Sequence, residues 1–427
     1  MTFPLHRHIV LQRWRLSRNI ALATGLVRSI FTRGVGGTIL SIRRRVQPLT
    51  DSALAGPTTI HTRSGRLLLF IDAATPTPSR DSGSVRALAL LRLCRELGWS
   101  VAFMPDNNQL TSESAALLGT LGVELIGTPG QARLDRWLQH NGNQVNAVFL
   151  CRHHVARRHL QLVRAFTAAP IIFDTVDLHH VRLQRAAELQ NDQALLRIAE
   201  QARTEEFALI AASDATTVVS HAELDYLRAN GVDTPVSVLS NVHDVAVAER
   251  NFADTSGLLF VGGYQHHPNQ EAIAWLLTDI MPLLRQQLPG VVLHLVGEIP
   301  AQEAQRLRAD DVVVHGHVPE VEPYLQHSRI NLAPLRSGAG VKGKINQAMS
   351  HGLPVVATGI AAEGMFLRHD DNALIADSAE DYAAQVVRLY QDATLWQRLS
   401  ANGYRNIEDH FSSALARETL QALLPAD

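Results

Sequence analysis

The stretch "LLFVGGYQHHPNQEAIAWLLTDIMPLLRQQL", residues 258–288, decides the fold. Four apolar residues run into two glycines. A short polar stretch follows, and then apolar residues return at helical spacing. A short buried strand, a glycine turn and a helix, in that order, form the opening unit of a parallel α/β sheet. Pro268 is expected in the first turn of the helix, where its missing N–H costs nothing.

The same rhythm extends in both directions. Downstream, "VVLHLVG" (291–297), "VVVHG" (312–316), "INLAPL" (330–335) and "LPVVAT" (353–358) read as strands. The stretch 379–403 reads as terminal helices. Upstream, "GRLLLFI" (65–71) is a strand and "SVRALALLRLCREL" (84–97) a helix. "SVAFM", "GVELIG", "NAVFLC", "PIIFD", "DATTVVS" and "PVSVLS" supply further strands, with one long helical pattern over 180–212. A polar gap at 242–257 separates the two series. The pattern therefore predicts two Rossmann-like α/β domains with a central cleft, over 61–250 and 251–427, with the last helix returning to the first domain. Residues 1–60 form a basic N-terminal extension. Ligands of such sheets bind beyond the C-terminal strand ends.

Bulk properties narrow the function. The chain has 427 residues, 46% of them hydrophobic, enough for two cores. A net charge of −2 gives no general case for nucleic acid. Cys94 and Cys151 sit in apolar runs and read as buried thiols, which fits a reducing cytoplasm. No run of 18 apolar residues exists to span a bilayer. Residues 1–50 hold nine arginines and no Asp or Glu, mixed with Trp14, Ile20, Leu26, Ile30 and Phe31. Two readings stand: a segment lying on the anionic inner face of the cytoplasmic membrane, or an extension packed on the body.

The candidate site residues lie at strand ends and glycine turns. "SGAGVKGKINQAM" (337–349) carries both lysines of the chain, Lys342 and Lys344; the other basic residues are arginines. Lysine is a compact point charge. Set among Gly338, Gly340 and Gly343 before a helix that includes Gln347, it reads as an anion cradle, though GxxxxGK[ST] is absent. Gly262 and Gly263 let the chain pass close to a ligand, with His267 at the helix start that follows. Glu363 could take sugar hydroxyls. In the first half, Asp81, Ser82 and Gly83 open a helix and read either as acceptor contacts or as plain caps. Asp174, Asp177, His179 and His180 crowd one strand end. A metal cluster is one alternative, but no recognised zinc spacing appears. His179 is favoured over His180 because it stands directly beyond the strand.

The second half resembles the donor domain of retaining GT-B glycosyltransferases of the "group 1" or family 4 class. The pieces that carry it are "LLFVGGYQHHPNQEAIAWL", "VVLHLVGE", "VVVHGHVPEVEPYL", "INLAPLRSGAGVKGKINQAMSHGLPVVAT" and "MFLRHDDNALIA". "DSGSVRALALLRLCRELGWSVAFMPDN" and "FDTVDLHHVR" in the first half resemble acceptor domains of a bacterial polysaccharide-assembly subgroup. The resemblance implies transfer of a sugar from a nucleoside-diphosphate sugar to a glycan or lipid-linked acceptor, with retention and no metal cofactor. Within that reaction, the residues themselves point to catalytic work by His179, Lys344 and Glu363. Donor binding would fall to Gly262, Gly263, His267, Gly340, Lys342, Gly343 and Gln347, and acceptor binding to Asp81, Ser82, Gly83 and Asp177. The class often carries two glutamates eight residues apart; those places are held here by Ala339 and Gln347. A nucleotide-sugar epimerase and a non-catalytic nucleotide-sugar-binding subunit remain alternatives.

Overall fold

The computed structural model describes residues 7–16, 65–79, 81–128, 132–246, 250–338 and 340–426. The first sheet contains β1 (Leu67–Asp72), β2 (Ser100–Pro105), β3 (Glu124–Leu125), β4 (Val145–Cys151), β5 (Ile171–Asp174), β6 (Ala215–Val218) and β7 (Val236–Val238). Its order is β3-β2-β1-β4-β5-β6-β7, and every pairing is parallel. The second holds β8 (Leu258–Val261), β9 (Leu293–Val296), β10 (Val312–Gly316), β11 (Ile330–Ala333), β12 (Val355–Ala357) and β13 (Leu374–Ile375), in the order β10-β9-β8-β11-β12-β13. The two-domain α/β architecture expected from the sequence is present.

Strand alternation builds two cores around the first sheet. Leu67, Leu69 and Ile71 of β1 face one apolar cluster, while Leu68 and Phe70 face the other. Phe70 stacks between Phe103 and Phe149, with ring centroids 5.9 and 5.5 Å away. Both faces of the sheet are covered by helices, so its strands are continuous apolar runs.

Two helical patterns break where backbone chemistry requires it. The 180–212 pattern is two helices, His179–Gln190 and Gln193–Ala212. Asn191 takes a left-handed φ of 52°, and the Asp192 side chain then caps the amides of Ala194 and Leu195. The helix after β8 begins at His267 with Pro268 in its first turn. It widens into a π turn over Leu276–Ile280 before Met281–Gln287. Pro282 cannot donate to the Thr278 carbonyl, and its ring crowds that group, which favours the wider turn. The two-residue β13 is too short for a period-2 pattern, and the sequence did not announce it.

The chain ends back on the first domain. After the helix Ala393–Phe411, the helix Ser413–Leu423 brings Ala416, Leu420 and Leu424 into the cluster of Leu90, Leu93 and Phe70. Residues 7–16 are helical and also pack on this domain. Leu11 and Trp14 are buried in its core, and the Trp14 indole donates to His159 Nδ1 at 3.3 Å. Arg15 pairs with Asp135 at 2.8 Å, and Arg7 donates to the Ala165 carbonyl. This corrects the placing of Trp14 among the apolar residues of a membrane-facing segment: its side chain faces inward. Ile20, Leu26, Ile30 and Phe31 lie outside the described residues. Among those described, no helix is long and apolar enough to cross a membrane.

Candidate active site at the domain cleft

The lysine loop and the turn after β8 form one unit. The helix Gly343–Ser350 starts at Lys342, whose Nζ donates to the Gly340 carbonyl at 2.6 Å. Lys344 Nζ donates to Asn269 Oδ1 at 3.0 Å and lies 4.4 Å from the centre of the Phe260 ring. Asn269 in turn donates to the Gly263 carbonyl at 2.8 Å. A Cβ on Gly262 would meet the Asn269 amide at 2.8 Å, whereas one on Gly263 would meet nothing within 4 Å. Gly262 therefore makes room for Asn269 rather than for a ligand, and Gly263 is the open position. Ser337 fastens the loop to the neighbouring helix by donating to Glu271 at 2.6 Å. His267 is exposed and faces the same Glu271 at 3.7 Å. Gln347 is half-buried on the helix that carries Lys344. Ala339 lies outside the described residues.

Both lysines carry depressed pKa values. Burial brings Lys342 down from 10.5 to about 8, opposed by the nearby Glu363 carboxylate. Burial and then the charge of Lys342 bring Lys344 down to about 7. No carboxylate forms an ion pair with Lys344 among the described residues. Two ammonium groups at the start of one helix, with burial disfavouring their charge, are stabilised by an anion.

The first domain meets this loop at several places, among them the Asn241 amide, which donates to the Val341 carbonyl at 3.5 Å. A Cβ on Gly343 would lie 2.4 Å from Ser82 Cβ, so Ser82 packs directly on the lysine loop. Gly340, at φ 70°, brings its backbone against Asp177 and Val219; a Cβ there would lie 3.2 Å from Asp177 Cβ. Arg185 forks onto Glu363, with contacts of 2.5 and 2.8 Å, and donates to the Gly338 carbonyl at 2.9 Å. The Arg185 hydrogen bonds hold the Glu363 carboxyl below its ordinary pKa against the effect of burial. Glu363 is thus bound to the first domain, and any sugar hydroxyl must share its oxygens with a guanidinium.

The "DTVDLHH" residues take different partners: Asp174 and His180 are turned to separate buried groups, while Asp177 and His179 share Arg182. Asp174 is fully buried and takes two hydrogen bonds from Arg86, at 2.7 and 2.9 Å, and one from Thr217 at 2.7 Å. Burial alone would raise Asp174, but Arg86 outweighs it and the pKa is lowered. His180 is buried with Nδ1 2.5 Å from Glu206 Oε2 and Nε2 3.0 Å from the Tyr226 hydroxyl. His179 is half-buried and stacks on His153 with centroids 5.1 Å apart. Its Nδ1 accepts from Arg182 at 2.8 Å, which places the ring proton on Nε2. Burial, then Arg182 and His153, pull the His179 pKa below its ordinary value. Asp177 pairs with Arg182.

At the mouth of the first helix, Asp81 is an N-cap: Oδ1 accepts from the Ser84 amide at 2.8 Å and Oδ2 from the Ser84 hydroxyl at 2.9 Å. The capping half of its reading describes these contacts. Gly83 is tight because a Cβ would lie 2.9 Å from an Arg152 amino group. Arg152, at the end of β4, has φ 77° and ψ 143°, a conformation that costs an arginine about 1–3 kcal/mol. Its Nε donates to Asp72 Oδ1 at 2.8 Å.

Arg152, Arg182, Arg185, Asn269 and Glu206 are the site residues that sequence reasoning missed. Each stands in a helix or at a helix start, where its residue type is ordinary. "HHPNQEA" offered one signal, an Asn in the first turn after a glycine pair.

Residues 255–392 match the family model described as "Glycosyl transferases group 1". Over 165 residues the chain is 22% identical to an uncharacterized 44.6 kDa protein in the cps region of Klebsiella pneumoniae. That match spans 36% of this chain and 42% of the relative's length. Sucrose-phosphate synthase from Thermosynechococcus elongatus superposes with a TM-score of 0.63 at 13% identity, over 84% of this chain and 98% of that one. Anabaena HepE, solved with UDP and glucose, gives 0.63 at 14% identity, over 84% and 99%. At such identities these structures establish the shared GT-B fold.

Proposed function

We propose that this chain, which carries a group 1 glycosyl transferase domain in its second half, transfers a sugar from a nucleoside-diphosphate sugar to a hydroxyl of a surface glycan or lipid-linked acceptor. The observation that carries the reading is Lys344: a half-buried lysine without a carboxylate partner among the described residues, beside a second lysine, at the start of a helix that abuts the first domain. A diphosphate leaving group gains negative charge as the glycosidic bond breaks. Fixed cations and a helix N-terminus aimed at it stabilise that charge without reorganisation. Lys344, Lys342 and the loop amides fill this role, and Gly263 leaves open space beside them.

His179 is the catalytic imidazole of this reading. Its neutral ring keeps a proton on Nε2 while Arg182 holds Nδ1, so it can donate to a sugar or acceptor oxygen. Glu363 keeps acceptor lone pairs beyond those used by Arg185 and can still take sugar hydroxyls. Gln347 stands where the class has a ribose-binding glutamate, and its amide can both donate and accept. Asp177 and Ser82 line the acceptor side. Retention rests on the family resemblance. The cps-region relative supports a surface-glycan acceptor, and Anabaena HepE with UDP supports a nucleotide-sugar donor. Work on a lipid-linked acceptor would place the enzyme in the cytoplasm, at the inner face of the membrane.

The test is a thermal-shift screen of nucleotide sugars, followed by mass analysis of products with lipid-linked intermediates from the cell. Free nucleoside diphosphate and a glycosylated acceptor are expected. Donor binding without release of nucleoside diphosphate with any acceptor would reduce the protein to a binding subunit. A new sugar from donor alone would identify an epimerase.

A further inference from the structure

The strained Arg152 is unexplained by the donor chemistry. It ends β4 with a backbone that glycine adopts at no steric cost, yet an arginine stands there. Its amide donates to the Asp174 carbonyl at 2.7 Å, so the strand pairing itself holds the strained turn in place. The side chain is held at one point. Nε donates to Asp72 Oδ1, while the two terminal amino groups have no hydrogen-bond partner among the described residues. One of them lies over Gly83, where a Cβ would stand 2.9 Å from it. The Arg152 side chain as a whole is about a third exposed, at the strand-end side of the first domain. Neighbouring charges are engaged elsewhere: Asp177 with Arg182, and Asp106 with Arg158 and His159.

We infer that Arg152 is an acceptor-binding residue, its free fork taking an oxyanion carried by the acceptor close to the hydroxyl that receives the sugar. An arginine fixed at Nε presents two parallel N–H groups, which match a carboxylate or phosphate bidentately. Asp72 sets the plane of the fork. Gly83 leaves room for the fork itself beside the first helix. Hydroxyls of a neutral glycan can accept single bonds from such a fork, but only an oxyanion matches both its charge and its two parallel N–H groups, so the acceptor it fits best is an acidic sugar or the phosphate of a lipid carrier. The inference rests on the glycosyltransferase reading for the word acceptor; the anion site itself does not.

Calorimetric titration of the full chain with glucuronate, with farnesyl diphosphate and with glucose as neutral control tests it. At least one anionic probe should bind more tightly than glucose. Arg152→Gln should weaken that binding at least about tenfold, as should Arg152→Lys to a lesser degree, because lysine keeps the charge and loses the fork. Lys344→Ala should leave it unchanged, and UDP affinity should be unchanged in Arg152→Gln. Glucuronate binding points to an acidic sugar, and farnesyl diphosphate binding to a carrier phosphate. The inference is overturned if neither probe exceeds glucose, if binding survives in Arg152→Gln, or if it follows Lys344 instead. Failure of UDP to bind the wild type, with the Arg152 effect intact, would count against the donor reading alone.

Discussion

The strand ends of the first domain and the lysine loop of the second are both buried and charged, but their charges are handled in opposite ways. In the first domain Arg86 meets Asp174, and His180 meets Glu206. In the second, Lys342 and Lys344 stand two residues apart, close enough for one charge to act on the other, with Glu363 near only the former. A buried charge with a partner holds the fold together; a buried charge without one makes the fold wait for a ligand. The first arrangement is scaffold, and the second is a site.

The contrast breaks most sharply at Arg86. Arg86→Ala leaves Asp174 buried and alone, and should lower stability by about 3–5 kcal/mol in urea unfolding. A loss under 1 kcal/mol would show that the first domain does not depend on its paired charges. Lys344→Met should do the reverse. Stability should hold or rise, while affinity for UDP or GDP falls by roughly one to two decades, as expected for a charge-assisted contact of about 1.5–3 kcal/mol. Equal affinity in calorimetry would remove Lys344 from the donor site.

The two adjacent histidines sharpen the same contrast. His180→Ala strips a hydrogen-bond partner from the buried Glu206 and should cost about 1–3 kcal/mol of stability. His179→Ala should leave the melting temperature nearly unchanged and reduce turnover more than donor affinity. A turnover loss confined to His180→Ala would reverse the assignment.

The pH dependence is a finer probe. Lys344 falls from 10.5 to about 7 in the folded protein. Between those values the unfolded chain binds the proton and the folded protein does not. The ligand-free protein should therefore gain stability as pH rises from about 7 toward 10.5, and Lys344→Met should flatten the slope. Anion affinity should fall over the same rise, because a ligand needs the protonated amine. A slope unchanged by Lys344→Met would place the effect elsewhere.

The smallest expected effect is at the N-terminal helix. Deleting residues 1–16 should lower the melting temperature modestly by uncovering the site of Trp14, and should leave UDP affinity untouched. An unchanged melting temperature, with loss of activity only on membrane-embedded acceptor, would favour a membrane role over a structural one.

Periodicity was enough to read two parallel α/β domains, because buried strands and amphipathic helices leave local patterns that neighbouring residues share. The lysine loop was legible for a related reason: its glycines, its lysines and its helix lie within thirteen residues, 337–349. The partners of those residues were not legible. Asn269 reaches Lys344 from 75 positions away, Arg185 reaches Glu363 from 178, and Arg86 reaches Asp174 from 88. Whether Asp174 is a ligand or a strut, and whether His179 or His180 faces the cleft, depends on which distant side chain satisfies each charge. Local sequence determines which chemistry is available; only the tertiary packing decides which of it is already used.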